Sequence, residues 1–261
     1  MKKTLLNGIP NEMPRDIQRF VSAVNIYDTS CSPEAKVYFI DKGNGYYLKC
    51  SDSGMLEKEF KMTEYFYSKG LGAEVLSYIS DNRDWLLTRA VIGEDCVHEK
   101  YLMEPKRLCD TIAYELRKLH ETDYSDCPIP DRTAEYLAVA EKNYCTGNYD
   151  KLPCPDSFSY RSAKEAYDVL TAEKGALQNK VLLHGDYCLP NIVLNNWNLS
   201  GFIDVGNGGV GDRHIDIFWG IWSLWFNLKT DKYQERFLDA YGRDKADESI
   251  LKIVAAAEVF G

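Results

Sequence analysis

The segment His184-Gly-Asp-Tyr-Cys-Leu-Pro-Asn191 sets a carboxylate, Asp186, and a carboxamide, Asn191, at a fixed short spacing. Thirteen residues after Asn191 a second carboxylate follows, Asp204, in the run Ser200-Gly-Phe-Ile-Asp-Val-Gly206. Two hard oxygen ligands and a separate carboxylate that can take a proton are what phosphoryl transfer needs. A divalent cation neutralises the β- and γ-phosphates of a nucleotide while a base receives the proton of the attacking hydroxyl. Asn191 and Asp204 are the candidate metal ligands and Asp186 the candidate base, a task worth about 10²–10⁴-fold in rate. An Asp and an Asn at this spacing say little alone; His-Gly before them and Asp-x-Gly after them make the cluster specific. His184 is expected to support the loop by hydrogen bonding rather than to exchange protons.

Such a site also needs a cation on the α- and β-phosphates. Lys49, in Tyr46-Tyr-Leu-Lys-Cys50, can supply it, with Glu59 beside Phe60 on the following helical segment as its anchor. No glycine-rich GxGxxG precedes Lys49. The loop over the phosphates would instead be Thr29-Ser-Cys-Ser-Pro-Glu-Ala35, through its amides and the Ser32 hydroxyl, whereas Gly43 and Gly45 fit a hairpin turn.

The elements that must position these groups change character along the chain. Residues 1–93 alternate β-type runs with turn signals: Val21–Tyr27, Lys36–Ile40, Tyr46–Cys50, Glu74–Ser80 and Trp85–Arg89. One helical pattern, Met55 to Ser68, interrupts them and stops at Gly70 and Gly72. From Pro105 onward the period is helical, with Leu108, Ile112, Leu116 and Leu119 spaced four, four and three apart. The stretch Asn143–Tyr160 is expected to be a long loop. The fold class is therefore α+β: an N-terminal five-stranded antiparallel sheet with one helix in 1–93, and a mostly helical lobe in 94–261.

Charge follows the same division. Residues 1–93 carry twelve acidic and twelve basic side chains, and the remaining twenty-eight acidic and nineteen basic residues of 94–261 account for the whole net charge of −9. An acidic lobe suits a cationic partner and argues against nucleic acid or an anionic membrane surface. The longest apolar stretch, Ile217 to Phe226, is half of the ~20 residues a membrane span requires, and the first residues lack a secretory apolar region, so a cytoplasmic location is expected. Eight scattered cysteines without a CxxC pair are expected to be reduced thiols.

With these residues in view, the sequence resembles the aminoglycoside phosphotransferases, in particular the 3′-phosphotransferases of kanamycin- and neomycin-type antibiotics, which share the protein kinase-like fold. The resemblance rests on Ala35–Tyr38, Tyr46–Lys49, Leu56–Glu59, Leu116–His120 with Asp126-Cys-Pro128, His184–Asn191, Ser200–Gly206 and Gly209–Arg213 with Asp216. It implies a bilobal fold and transfer of a phosphoryl group from ATP, with GTP as the alternative donor, to a sugar hydroxyl under Mg2+. By it Asp186 is the base, Asn191 and Asp204 bind magnesium, and Lys49 and Glu59 hold the phosphates. Tyr47 would stack on adenine, and Arg89–Val91 would be the hinge that pairs with the base. The acceptor would be a small cationic aminosugar met by Asp186, Glu258 and, in the long loop, Asp156, in a monomer or weak dimer. The chain departs from the family at Asn207, at the neutral aromatic stretch Trp222–Asn227, and at its end, Ala257-Glu-Val-Phe-Gly261. These departures put the acceptor in question and keep open a kinase for choline, a macrolide or a metabolic sugar; a third reading, a catalytically silent nucleotide-binding protein, is set against the presence of Lys49, Glu59, Asp186, Asn191 and Asp204. Trp219, Trp222 and Trp225 are expected to be core residues rather than a sugar platform.

Overall fold

Alternation in Tyr46-Tyr-Leu-Lys-Cys50 sends Leu48 and Cys50 to one face of a strand and Tyr47 and Lys49 to the other. That is what a sheet with one covered face needs, and Leu48 and Cys50 are buried in it. The structure, a computed structural model, describes residues 3–6, 8, 10, 12–21, 24–31, 35–149 and 153–261. Its chain falls into two compact units, Met1–Gly93 with Ser200–Gly206, and Glu94–Leu199 with Asn207–Gly261.

The first unit is built on an antiparallel sheet of β1 (Thr4–Leu5), β2 (Asn25–Asp28), β3 (Lys36–Asp41), β4 (Tyr46–Asp52), β5 (Val75–Ser80) and β6 (Arg83–Arg89), in the order β1-β2-β3-β4-β6-β5. The two-residue β1 adds an edge to the five strands predicted. The β3–β4 hairpin pairs Val37 with Lys49 and Phe39 with Tyr47, and its turn places Gly43 and Gly45 at positive φ. A side chain on Gly45 would lie 2.7 Å from the Phe39 ring, so that position admits only glycine. A helix absent from the sequence reading, α1 (Arg15–Phe20), lies in the first unit; Met13, Ile17 and Val21 join Ile26, Ile40, Leu48, Trp85 and Leu87 in the core. The predicted helix is α2 (Glu57–Ser68). No side chain of its own sequence caps it; the buried Asp84 of β6 accepts from the Leu56 amide at 2.8 Å instead.

The second unit is mostly helical: β7 (Glu94–Asp95), α3 (Glu99–Leu102), α4 (Pro105–His120), α5 (Arg132–Thr146), α6 (Ala163–Glu173), β8 (Val181–Leu183), β9 (Ile192–Asn195), the start of β10 (Asn198–Phe202), β11 (Gly209–Gly211), α7 (Arg213–Leu228), α8 (Gln234–Tyr241) and α9 (Glu248–Ala257). The predicted stripe of α4 is fully buried, and the helix packs on α7 and α8. Helix α5 extends four residues into the stretch expected to be a loop: Asp131 caps its start, and the helix ends only at Gly147, left-handed at φ 67°. Residues 156–158 of that stretch form a short 3-10 turn. β8 and β11 pair antiparallel, Leu183 opposite Gly209 and Val181 opposite Gly211. Among the described residues no helix is long and apolar enough to cross a membrane.

Candidate active site

The loop 184–191 begins where β8 ends, and its shape is set by one buried carboxylate. Asp216, on the first turn of α7, accepts the amide of His184 at 2.7 Å and that of Gly185 at 2.8 Å. His120 approaches the same carboxylate through Nε2 at 3.2 Å and meets the Tyr241 hydroxyl through Nδ1 at 2.8 Å. Burial pulls the His120 imidazole below its ordinary pKa, against the pull of Asp216. Gly185 must turn left-handed, φ 84°, and a Cβ there would sit 1.8 Å from the Asn207 carbonyl oxygen. His184 is fully buried and its Nδ1 accepts the Asp186 amide at 3.2 Å, the supporting part expected of it.

Asp186 thus emerges half-buried with its backbone fixed. Asn191 donates its amide nitrogen both to the Asp186 carbonyl, 3.0 Å, and to Oδ2 of its carboxylate, 2.8 Å. This commits the nitrogen of Asn191 and leaves the oxygen as the atom a divalent cation would take. The far end of the loop is tied by the Leu189 amide donating to Ser223 Oγ at 2.9 Å, and by Tyr187 donating to the Ile112 carbonyl at 2.8 Å. Burial pushes the Cys188 thiol well above its usual range, as a structural rather than nucleophilic cysteine requires.

Within the first unit, Lys49 Nζ lies 2.7 Å from Glu59 Oε2 and 2.8 Å from Asp204 Oδ1. Burial works against the ammonium, but the two carboxylates outweigh it and hold Lys49 above its ordinary pKa. Glu59 is pushed up by its own burial, with Lys49 opposing. The backbone of Asp204 is left-handed, φ 59°, which turns the following residues toward α2; a side chain on Gly206 would meet Glu59 Cβ at 3.1 Å. Tyr47 lies on the Lys49 face of β4, its ring 5.2 Å from Phe39. Arg89 directs its guanidinium to Glu74 at 2.7 Å, and the Arg89 and Ala90 amides are used by the Glu74 and Gly45 carbonyls, so the expected hinge begins inside the sheet's own hydrogen bonding. Val91 packs near Gly201. Ser32 lies outside the described residues.

Glu258 is buried on the C-terminal 3-10 turn, where Tyr136 of α5 donates to its Oε1 at 2.8 Å. Burial pushes its carboxyl up to about 7, Asp186 lies close enough to add to the shift, and Arg132 opposes it. Asp156 is exposed on the 3-10 turn Asp156–Phe158. The expectation that the α7 tryptophans are core residues needs correcting. Trp219 and Trp222 are only half-buried, Trp222 stacks on the exposed Phe226 with ring centroids 4.9 Å apart, and Lys229 Nζ stands 4.1 Å over Phe226. Sequence reasoning missed Arg132 and Tyr136, and marked His120 without a role. Arg132 and Tyr136 stand one helical turn apart, which is a local signal, but their partners lie 75 and 122 residues away.

The model of the phosphotransferase enzyme family matches residues 34–251. The chain is 50% identical over 251 residues to a protein of Lactococcus lactis subsp. lactis (strain IL1403) named "Probable aminoglycoside 3′-phosphotransferase", covering 96% of this chain and 95% of that one. Among solved structures, an aminoglycoside-3′-phosphotransferase of type VIII superposes with a TM-score of 0.79 at 22% identity, covering 95% of this chain and 97% of that one. An aminoglycoside phosphotransferase from Streptomyces rimosus, in complex with ADP and streptomycin, superposes with a TM-score of 0.69 at 22% identity, covering 87% and 91%. The fold is the protein kinase-like α+β fold of these enzymes.

Proposed function

This chain belongs to the phosphotransferase enzyme family and is a phosphotransferase, and from that premise we propose that it transfers the γ-phosphoryl group of ATP to a hydroxyl of a cationic aminosugar, the 3′-hydroxyl of kanamycin- and neomycin-type molecules. The observation that carries this reading is Asp186: a half-buried carboxylate on a loop fixed at both ends, with one oxygen held by Asn191 at 2.8 Å. A base so placed needs no reorganisation when the acceptor hydroxyl arrives.

In this reading Asp186 aims the acceptor hydroxyl and receives its proton as the oxygen–phosphorus bond forms. Lys49, positioned by Glu59, neutralises the nucleotide phosphates, and Tyr47 offers its ring to the base. Asn191, through its amide oxygen, and Asp204 would hold Mg2+. When bound, Mg2+ would draw charge off the transferring phosphoryl group. Glu258 would receive an acceptor ammonium. Two solved structures of this fold hold ADP with streptomycin and ADP with hygromycin B, which supports a small aminosugar acceptor here.

The half-exposed stacked Trp222–Phe226 pair favours a second reading, an acceptor whose cation is quaternary, such as choline. Coupled ADP release with Mg-ATP against kanamycin, neomycin, streptomycin, choline and a macrolide separates the two. Turnover confined to choline would overturn the aminosugar reading and leave the phosphotransferase chemistry standing.

A further inference from the structure

Helix α5 opens with a cation that the proposed chemistry does not use. The Arg132 side chain is 12% exposed, and the carboxylate within ion-pair reach of it, Glu135, is 3.6 Å away and itself exposed. Its best hydrogen bonds go to one neutral residue: Nε donates to the Asn207 carbonyl at 2.7 Å and Nη2 reaches Asn207 Oδ1 at 3.4 Å. Desolvating a guanidinium without a forked anionic acceptor costs stability, so this arrangement calls for a compensating role.

Two neighbours supply one. The Asn207 carbonyl gripped by Arg132 is the same atom that lies 1.8 Å from where a Cβ on Gly185 would be, so the guanidinium presses that peptide onto the residue before Asp186. Tyr136, one turn further along the same helix face, donates to the Glu258 carboxylate at 2.8 Å, which sets Arg132 near enough for its charge to act on that group. Among the described residues, the titratable groups that act on Glu258 or that it acts on include Arg132 and Tyr136 from α5, Asp186 and Cys188 from the loop, and Cys154 ahead of the 3-10 turn; Arg132 is the cation of this group.

We infer that Arg132 is a positioning residue of the acceptor site, clamping Asn207 onto the catalytic-loop glycine and presenting its fixed charge to Glu258 so that this carboxylate stands ready for an acceptor ammonium. This inference rests on the acceptor-site reading given above. The two parts of the role separate by substitution: lysine keeps the charge but loses the fork, and glutamine loses the charge.

The test follows the Glu258 carboxyl by carbon-13 NMR in protein labelled at glutamate, assigned with Glu258→Gln, and measures kcat and KM for kanamycin in Arg132→Lys and Arg132→Gln. In Arg132→Gln the Glu258 midpoint is expected to rise by about half a pH unit or more, with KM near neutral pH rising about three- to tenfold. Arg132→Lys is expected to restore the midpoint and KM while kcat falls about tenfold, because an ammonium cannot hold the Asn207 peptide in register. A Glu258 midpoint that moves by less than about 0.2 unit in Arg132→Gln, or equal losses of kcat in both variants with KM unchanged, would overturn the inference. Should Arg132→Gln fail to fold, Arg132→Lys carries the test through its kcat loss at constant KM. The NMR midpoint is read without substrate, so a wild-type protein inactive on every aminosugar would sink the acceptor reading while the midpoint still decides whether Arg132 governs Glu258.

Discussion

At the scale of single residues, Glu258 carries the sharpest consequence. Its carboxyl is raised to about 7 from an ordinary 4.5, so the folded chain holds that proton more tightly than the unfolded chain. The cost of ionising it is absent below about pH 4.5 and fully present above about pH 7. Glu258→Gln is therefore expected to gain stability relative to wild type as pH rises from about 5 to 8, by at most about 3 kcal/mol. Urea unfolding of both proteins across that range checks it; a difference independent of pH would contradict the assignment. The same ionisation should govern acceptor affinity with the opposite sense. KM for a cationic acceptor is expected to rise as pH falls through about 7, and Glu258→Gln should raise it about tenfold at pH 8 with kcat little changed. The motif residues could be found in the chain because their spacing is local. Tyr136 could not be tied to Glu258 that way, because nothing near either one in sequence announces the other.

At the scale of elements, the loop 184–191 is shaped from outside by the start of α7. Removing the Asp216 carboxylate would leave two buried amides and the His120 ring without their acceptor. Asp216→Ala is expected to cost about 3 kcal/mol or more, measured by chemical denaturation. Gly185→Ala combines a left-handed backbone with a clash against a peptide oxygen, and should cost about 3–5 kcal/mol and lower turnover over 100-fold. Unchanged activity in Gly185→Ala would show that the loop tolerates another path. The same scale explains which elements were legible. The four-four-three stripe of α4 and the Gly-rich β3–β4 hairpin carry their signals within one window, and both formed as predicted. Helix α1 has six residues and no capping side chain, so its three core contacts, Met13, Ile17 and Val21, extend past its own ends. The end of α5 is not legible in the chain, because Gly147 fits a loop as well as a left-handed cap and only the folded backbone decides between them.

At the scale of the whole molecule, charge is distributed as unevenly as structure. All of the net −9 belongs to residues 94–261, which also contain Asp186 and Glu258. A polycationic acceptor would be drawn by this field, and salt screens it over about 8 Å at physiological ionic strength. KM for the acceptor is accordingly expected to rise several-fold between about 0.02 and 0.3 M salt, while KM for the nucleotide changes less. A flat salt profile for the acceptor would count against electrostatic recruitment. The central claim, that a fixed Asp186 carboxylate takes the proton of an aminosugar hydroxyl, is tested most directly by steady-state ADP release with Mg-ATP and kanamycin in wild type and Asp186→Ala. Kanamycin-dependent turnover that falls about 10²–10⁴-fold in Asp186→Ala, with nucleotide binding preserved, is the expected result; equal turnover in the two proteins would contradict it.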